Sequence, residues 1–407
     1  MLTVAEARRR ILDHFPPLAV ETVSLEAARG RYLAEAVRAE ENLPPFANSS
    51  MDGFAVYAAD VAGATAERPV RLPVAADIPA GTAQPPALTR GQAARIMTGA
   101  PLPAGAEAVV PVEDTDQDRG AAALPAAVSV HQAAAAGANI RPAGQDVRAG
   151  QEVLPAGAAL RAAALGVLAA LGHAQVRVRR RPRVAVLSTG DELVPVAERP
   201  AAGQIRDVNG SALAAAVAEQ GGEVVRLGIA PDRLEAVRAK LLQAAAAGVD
   251  LILSSAGVSV GAYDVVKEAL ATEGELAFWR VQMRPGKPLA FGRFQGVPFI
   301  GLPGNPVSAL VGMEVFVRPA LLKLAGARRL ERPTVTAALA EPFQADGRET
   351  YLRVTLAAAG AEWVAHSAGH QGSNIISSLV RAEGLLIVPA GAGLVPAGTR
   401  LPVWLLD

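Results

Sequence analysis

The sequence predicts a multidomain α/β protein: a doubly wound, mostly parallel sheet domain, an inserted β-rich module, a helical N-terminal region and a small C-terminal β domain. Three observations point there. At 407 residues the chain is too long for one ordinary core. Continuous apolar runs alternate with helical patterns from about residue 183 to residue 304, as buried parallel strands require. Short apolar runs punctuated by Gly and Pro occupy stretches before and after that region.

Taken in order, Thr3 and Glu6 form a capping-box pattern, and Val4, Ala7, Ile11, Leu12 and Phe15 follow at helical spacing until Pro16 and Pro17 stop the run. A second short helix is expected from Ser24 to Gly30. From Glu41 to about Asn139 the texture is that of a small β-rich module. Helical pattern returns over 158–172, so the module reads as inserted between two helical pieces able to pack together. This gives a helical domain of 1–42 plus 140–175 around an inserted β-rich domain, 43–139. In the α/β domain, 176–326, RVAVLSTG, EVVRLGIA and DLILSSAG read as strands. Helices are expected to start near Asn209, at DRLEAVRAKLLQAAAAG with Asp232 as cap, and from about Tyr263 to Leu270. FWRVQM follows, then the pair LAFGRF and VPFIGLPG around Gln295 and Gly296. Residues 327–407 read as a small β barrel or sandwich.

Composition excludes several classes. Lys and Arg number 39, Asp and Glu also 39, a balance that argues against a broad electrostatic footprint for nucleic acid. With no Cys, disulfides, thiolate zinc sites, iron–sulfur clusters and a cysteine nucleophile are excluded. His366 and His370 have i, i+4 spacing, but the SAGHQGS setting speaks against a helical metal pair. Any metal is expected on oxygen ligands. MLTVAEARRRILDHF lacks the apolar core of a signal peptide, and no run approaches a membrane span, so the expected compartment is cytoplasmic.

In open α/β sheets ligands bind beyond the carboxyl ends of the strands. STGDEL brings Asp191 and Glu192 to one such end. SSAGVSVGAYD brings small residues such as Gly257, together with Ser259 and Asp264, to another. GLPGNPVSAL brings Pro303, Asn305 as N-cap and Pro306 at the first helical position to a third. RVQMRPGKPLAFGR adds Arg280, Arg284, Lys287 and Arg293. Cations and helix N–H groups suit an oxyanion, and carboxylates beside phosphate suggest magnesium. Each element has a plainer reading as turn geometry or a solvated face, and for Asp232 as a helix cap. Several such loops at corresponding strand ends favour an anion-plus-metal site.

At these loops the chain closely resembles the molybdopterin molybdenumtransferase (MoeA) family, which includes the E domains of gephyrin and plant Cnx proteins. The likeness runs through PPFANSSMDGFAV (44–56), RIMTGAPLPAGAEAVVPVEDT (95–115), NIRPAGQDVRAG (139–150) and VAVLSTGDELV (184–194). It continues in GQIRDVNGSAL (203–213), SSAGVSVGAYDVVK (254–267), MRPGKPLAFG (283–292), GLPGNPVSAL (301–310) and GHQGSNIISSL (369–379). The resemblance implies four domains with a molybdopterin-binding sheet domain, and a homodimer whose active site is completed by the partner's inserted module. It gives roles to Asp52, Thr98 and Asp146 in that module. It makes Glu192, Asp232 and Asp264 the acidic set around magnesium and the adenylyl phosphate. Arg284, Lys287, Ser308, Arg353 and Ser373 match an oxyanion pocket suited to molybdate, and Pro303 and Pro306 shape the GLPGNP loop. Arg280 stands where the family often has Lys. Ala47 stands for a frequent acidic residue, Phe54 for the Tyr of MDGYA, Ala256 for the second Gly of SSGG, and Ala262 for a common acidic residue.

The implied reaction inserts molybdate into adenylyl-molybdopterin with release of AMP. Transient contact with other molybdenum-cofactor biosynthesis proteins and recipient molybdoenzymes is implied, and contact with nucleic acid or membrane is not. Two alternatives stand beside it: adenylyl transfer to molybdopterin, whose family is essentially the sheet domain alone, and a non-catalytic gephyrin-like scaffold. The inserted module and β-rich tail count against the first. The acidic set counts against the second.

Overall fold

A computed structural model describes residues 1–120, 123–255, 266, 268–270 and 274–406. They group into two compact units. One holds Met1–Glu35, Ala156–Arg161 and Gln175–Asp407; the other holds Ala36–Pro155 and Ala162–Ala174.

The first unit is built on a six-stranded sheet of β1 (Arg183–Thr189), β2 (Glu223–Ala230), β3 (Leu251–Ser255), β4 (Gly274–Arg280), β5 (Pro288–Phe294) and β6 (Val297–Leu302). Their order is β2-β1-β3-β6-β5-β4. The pairs β2/β1, β1/β3 and β3/β6 are parallel, while β6/β5 and β5/β4 are antiparallel. The chain leaves β1 toward one side and returns to the other, which makes the gap between β1 and β3 the topological switch point. The apolar runs are continuous because both faces of the sheet are covered. Val184 and Val186 face a core containing Leu213, Ile300 and Phe316; Ala185 and Leu187 face Val237, Leu241 and Phe299. The β5–β6 turn falls on Gln295 and Gly296, both at positive φ (47° and 81°), as a two-residue hairpin demands.

Helices α1 (Val4–Leu12), α2 (Val208–Glu219), α3 (Leu234–Ala246), α4 (Pro306–Gly312) and α5 (Arg318–Leu324) surround the sheet, with a π-helical turn, Met313–Val317, joining α4 to α5. Thr3 caps α1 by accepting from Glu6 N at 3.2 Å, whereas the Glu6 carboxylate turns to Arg9 and Arg10 and leaves the box half closed.

Three expectations need correction. The helix 158–172 forms as Ala162–Ala170, but it lies in the second unit and α1 in the first. α1 instead buries Val4, Ala7 and Ile11 in the core under β1, β3 and β6, and the following chain is tied down by Leu18 N donating to Leu324 O at 2.8 Å. The apolar stripe of α1 had no way to name its partner from sequence. Residues 24–30 give only a 3-10 turn, Glu26–Ala28, after strand Val20–Ser24, which pairs with Gln175–Arg179. Asp232 does not cap α3: Arg233 occupies the N-cap position without a side-chain bond.

In the second unit, strands Ala108–Pro111, Gly53–Val56, Ala93–Ile96, Val70–Ile78 and Ala127–Val130 form a five-stranded sheet in that order. Gly53 is required there, since a Cβ would lie 2.0 Å from Val110 O. Phe54 is 1% exposed within an apolar core, so a ring without a hydroxyl suits its surroundings.

In the first unit, Thr334–Leu339, Glu349–Ala359, Glu362–Ser367, Gly384–Val388 and Arg400–Leu405 close into a barrel, the Glu349 strand pairing with both the Glu362 and Gly384 strands. A short strand from the sheet domain, Met283–Arg284, adds in parallel to Glu349 and Thr350. Among the described residues no helix is long and apolar enough to cross a membrane.

Because Ile11 is fully buried between α1 and the sheet domain, Ile11→Ala should lower stability by about 2–5 kcal/mol. A urea titration of the full chain measures this. A change under about 1 kcal/mol, with the m-value kept, would show that α1 contributes little to that core.

Candidate functional site

A cleft of about 610 Å³ opens at the switch point, over the carboxyl ends of β1, β2, β3 and β6. Its base is polar although the strands beneath are apolar. Ser188 Oγ donates to Asp207 Oδ1 at 2.9 Å and lies 3.4 Å from Ser255 Oγ. Asp207 caps α2 by accepting from Gly210 N at 2.8 Å. α2 therefore begins at Val208. One carboxylate thus joins the end of β1 to a helix start, and Ser188 in turn contacts the end of β3. A Cβ at Gly210 would lie 2.3 Å from Asp207 Oδ2, which explains the glycine there.

One side of the cleft is acidic. Gly190, at φ 150°, lies under Glu192 so closely that a Cβ would fall 2.6 Å from Glu192 Oε2. Asp191 Oδ1 accepts from Asp232 N at 3.1 Å, a bond that holds Asp232 outside α3. Asp232 Oδ1 is buried without a partner. Burial first, then the negative charges of Asp191 and Glu192, push the Asp232 carboxyl above the usual carboxylate range.

The opposite side is the GLPGNP loop, fixed at two points. Asn209 Nδ2 donates to Gly304 O at 2.7 Å, and Val307 N donates to Ser373 O at 3.1 Å. Pro303, Asn305, Pro306 and Ser308 line the cleft. Pro306 stands at the first turn and Asn305 at the N-cap, but the Asn305 side chain makes no capping bond. The expected row of free N–H groups is shortened, because the Val307 N–H is already spent.

Pro288 also lines the cleft, and its neighbour Lys287 is exposed with no side-chain partner among the described residues. Arg284 Nη1 approaches Asp346 Oδ2 at 3.4 Å, and Arg280 is exposed. Arg293 goes elsewhere: its Nη2 lies 3.3 Å from His14 Nδ1, in a separate cleft with Arg10, Trp279 and Phe291. Arg353 is only 1% exposed, and it donates to Ser378 Oγ and to the carbonyls of His370 and Gly372 at 3.1–3.3 Å. Burial, with the Arg284 cation second, brings its guanidinium down to about 10. Its donors therefore brace the GHQGS loop that presents the Ser373 carbonyl and Asn374 to the cleft side.

In the second unit Asp52 Oδ1 accepts from both Thr98 N and Thr98 Oγ1 at 2.7 Å, which holds its carboxyl below the usual range. Asp146 takes no part in that pair; its backbone N–H donates to Leu43 O at 2.9 Å. Gly257, Ser259, Asp264 and Lys267, and the substituted positions Ala256 and Ala262, lie outside the described residues. Among the described residues no group of three His, Cys, Asp or Glu side chains is gathered closely enough to hold a metal ion. Sequence reasoning overlooked Ser188, Asp207, Asn209 and Asn374. Only Asp207 carried a local signal, as an Asp three residues before Gly210 at a helix start.

Fold and cleft together define a multidomain α/β protein with a polar cleft at the switch point of its sheet. Residues 2–172 match the family model described as "MoeA N-terminal region (domain I and II)", 185–323 "Probable molybdopterin binding domain", and 336–406 "MoeA C-terminal region (domain IV)". Molybdopterin molybdenumtransferase 2 of Mycobacterium tuberculosis (strain ATCC 25618 / H37Rv) is 42% identical over 414 residues, covering 99% of each chain. Molybdopterin molybdenumtransferase of Haemophilus influenzae is 36% identical over 413 residues, 99% of this chain and 98% of that one. The solved molybdopterin biosynthesis MoeA protein of Pyrococcus horikoshii OT3 superposes with a TM-score of 0.83 at 28% identity, covering 100% of both chains. The chain belongs to the molybdopterin molybdenumtransferase (MoeA) family.

A carboxyl held above its usual value favours the folded state most when protonated. Its contribution is complete below about 3.8 and lost as pH rises through the higher folded value. Asp232→Asn should therefore raise the unfolding midpoint at pH 7, with the gain fading toward acid. Thermal unfolding from pH 3 to pH 8 checks this; a variant less stable at neutral pH would show that Asp232 is not strained.

Proposed function

We propose that the chain inserts molybdate into adenylyl-molybdopterin in the cytoplasm, releasing AMP and giving molybdenum cofactor. The observation that carries this reading is the switch-point cleft, where an acidic side with an unpartnered Asp232 oxygen faces the GLPGNP loop and the Lys287 segment. Such a cleft suits a ligand with phosphates at one end and an oxyanion at the other.

Magnesium fits the acidic side. The Asp232 oxygen lacks a partner and its charge is opposed by Asp191 and Glu192, so a divalent cation relieves both penalties. Glu192 and Asp232, with Asp264, would hold it. When bound, the ion neutralises charge on the phosphoanhydride. Lys287 and Arg284 attract molybdate, and Ser308 lines its approach. Arg353 keeps the GHQGS loop in place, with its donors committed to that loop. The sulfurs that capture molybdenum are the substrate's own dithiolene, which agrees with a chain that has no Cys.

On this reading 43–139, 176–326 and 327–407 are the inserted β-rich, molybdopterin-binding and C-terminal domains, and the chain works as a homodimer. The partner's inserted module then delivers Asp52 already ionised through its two bonds from Thr98, with Asp146 from the same module. Transient handover to other molybdenum-cofactor biosynthesis proteins and recipient molybdoenzymes follows from the same role.

The test is AMP release from adenylyl-molybdopterin with molybdate and magnesium. Release should require molybdate and fall about 10²-fold or more in Glu192→Gln. Equal release by both proteins would remove Glu192 from the mechanism. No release by wild type under any oxyanion, with tight capture of a receptor-derived peptide, would favour a binding protein instead.

A further inference from the structure

Seven buried side-chain nitrogen or oxygen atoms lack a hydrogen-bond partner among the described residues, and three of them, Thr189 Oγ1, Asn209 Oδ1 and Asp232 Oδ1, belong to residues lining the switch-point cleft. Buried polar atoms are almost always satisfied, so three orphans in one cleft mark places that a ligand completes. Asp232 is accounted for by the magnesium proposed above. Asn209 is not.

The orientation of its amide is fixed by chemistry. Gly304 O is a carbonyl and cannot donate, so the atom 2.7 Å away is the amide nitrogen and Oδ1 takes the other position. The backbone beneath is equally constrained, because Asn209 follows the Asp207 cap bonded to Gly210 N and Ser188 Oγ. A neutral, unpartnered acceptor is therefore held at a set place in the cleft lining, with its donor half already used.

We infer that Asn209 is a substrate-recognition residue, its amide oxygen accepting a hydrogen bond from an N–H or O–H of the adenylylated substrate. The inference rests on the insertase reading for the identity of that ligand. The partner is an amino or ring N–H of a heterocycle, or a sugar hydroxyl. It is not a phosphate or molybdate oxygen, because an ionised oxyanion offers only lone pairs to an acceptor. Asn209 thus reads the neutral, organic part of the ligand, while the charged groups around it handle its phosphates.

The test measures the Kd of adenylyl-molybdopterin for the full-length protein by calorimetry without molybdate, and AMP release with it. Asn209→Leu keeps the size of the side chain and removes both hydrogen-bonding groups. Asn209→Asp keeps an acceptor oxygen and loses the donor to Gly304. Binding should weaken about tenfold or more in Asn209→Leu and stay within about threefold of wild type in Asn209→Asp. Should Asn209→Leu lose its cooperative thermal transition, Asn209→Ser, too short to reach, carries the same expectation. Wild-type affinity in Asn209→Leu, or equal weakening in both variants, would overturn the inference, the second by assigning the whole effect to the Gly304 contact. Failure of wild type to release AMP would sink the insertase reading alone, since the affinity comparison does not depend on turnover.

Discussion

The architecture of the cleft depends on a small hydrogen-bonded knot in which Asp207 holds Ser188 at the end of β1 and the first turn of α2, with Ser255 of β3 alongside. Parallel strands on either side of a switch point diverge, and hydrophobic packing on the two faces does not by itself define the spacing of their ends. Asp207 ties the end of β1 to the start of α2, and the Ser188–Ser255 contact at 3.4 Å links that end to β3. Asp207 sets the start of α2, which sets Asn209, which holds Gly304 and with it the loop leading into α4. The same contacts explain the small residues nearby: Gly210 leaves room for the carboxylate, and Gly190 leaves room for Glu192. A chain of short polar contacts, each needing the one before it, is less forgiving than an apolar core, where side chains of similar volume exchange more freely.

Around that knot the charges are arranged at some cost to the fold. Asp191, Glu192 and Asp232 repel one another, and the raised Asp232 carboxyl records that repulsion together with its burial. Across the barrel boundary Arg353 is buried without an acidic partner among the described residues, and backbone carbonyls and a serine hydroxyl satisfy its donors. Neither arrangement is what maximal stability would select. The acidic side leaves interaction capacity for a cation, whereas Arg353 spends its donors on positioning the GHQGS loop.

Legibility from sequence followed the range of the interaction responsible. β1 and β3 were readable because both faces are buried and the runs are unbroken. The Gln295-Gly296 turn and Pro306 at a helix start were readable because their signals are local. The partner of α1 was not, since an apolar stripe on a short helix is compatible with any core. Asp232 was misread as a cap because Asp before a helix usually is one; the distant Asp191 carboxylate drew its N–H instead. Asn209 and Arg353 acquire their settings only from residues far along the chain. Asp52 with Thr98 was legible solely through family likeness, as their bond spans 46 positions.

The short parallel pairing of Met283–Arg284 with Glu349 and Thr350 has a thermodynamic consequence. The C-terminal barrel takes part of its hydrogen bonding from the segment that carries Arg284 and leads to Lys287, and Arg348 Nη1 reinforces it by donating to Met283 O at 3.2 Å. Order in that basic segment and closure of the barrel are therefore linked. On the proposed function, an anion that ordered the segment would tighten the barrel, and a looser barrel would weaken the anion by the same factor. A β domain remote in sequence thereby shares its hydrogen bonding with the basic segment beside the cleft.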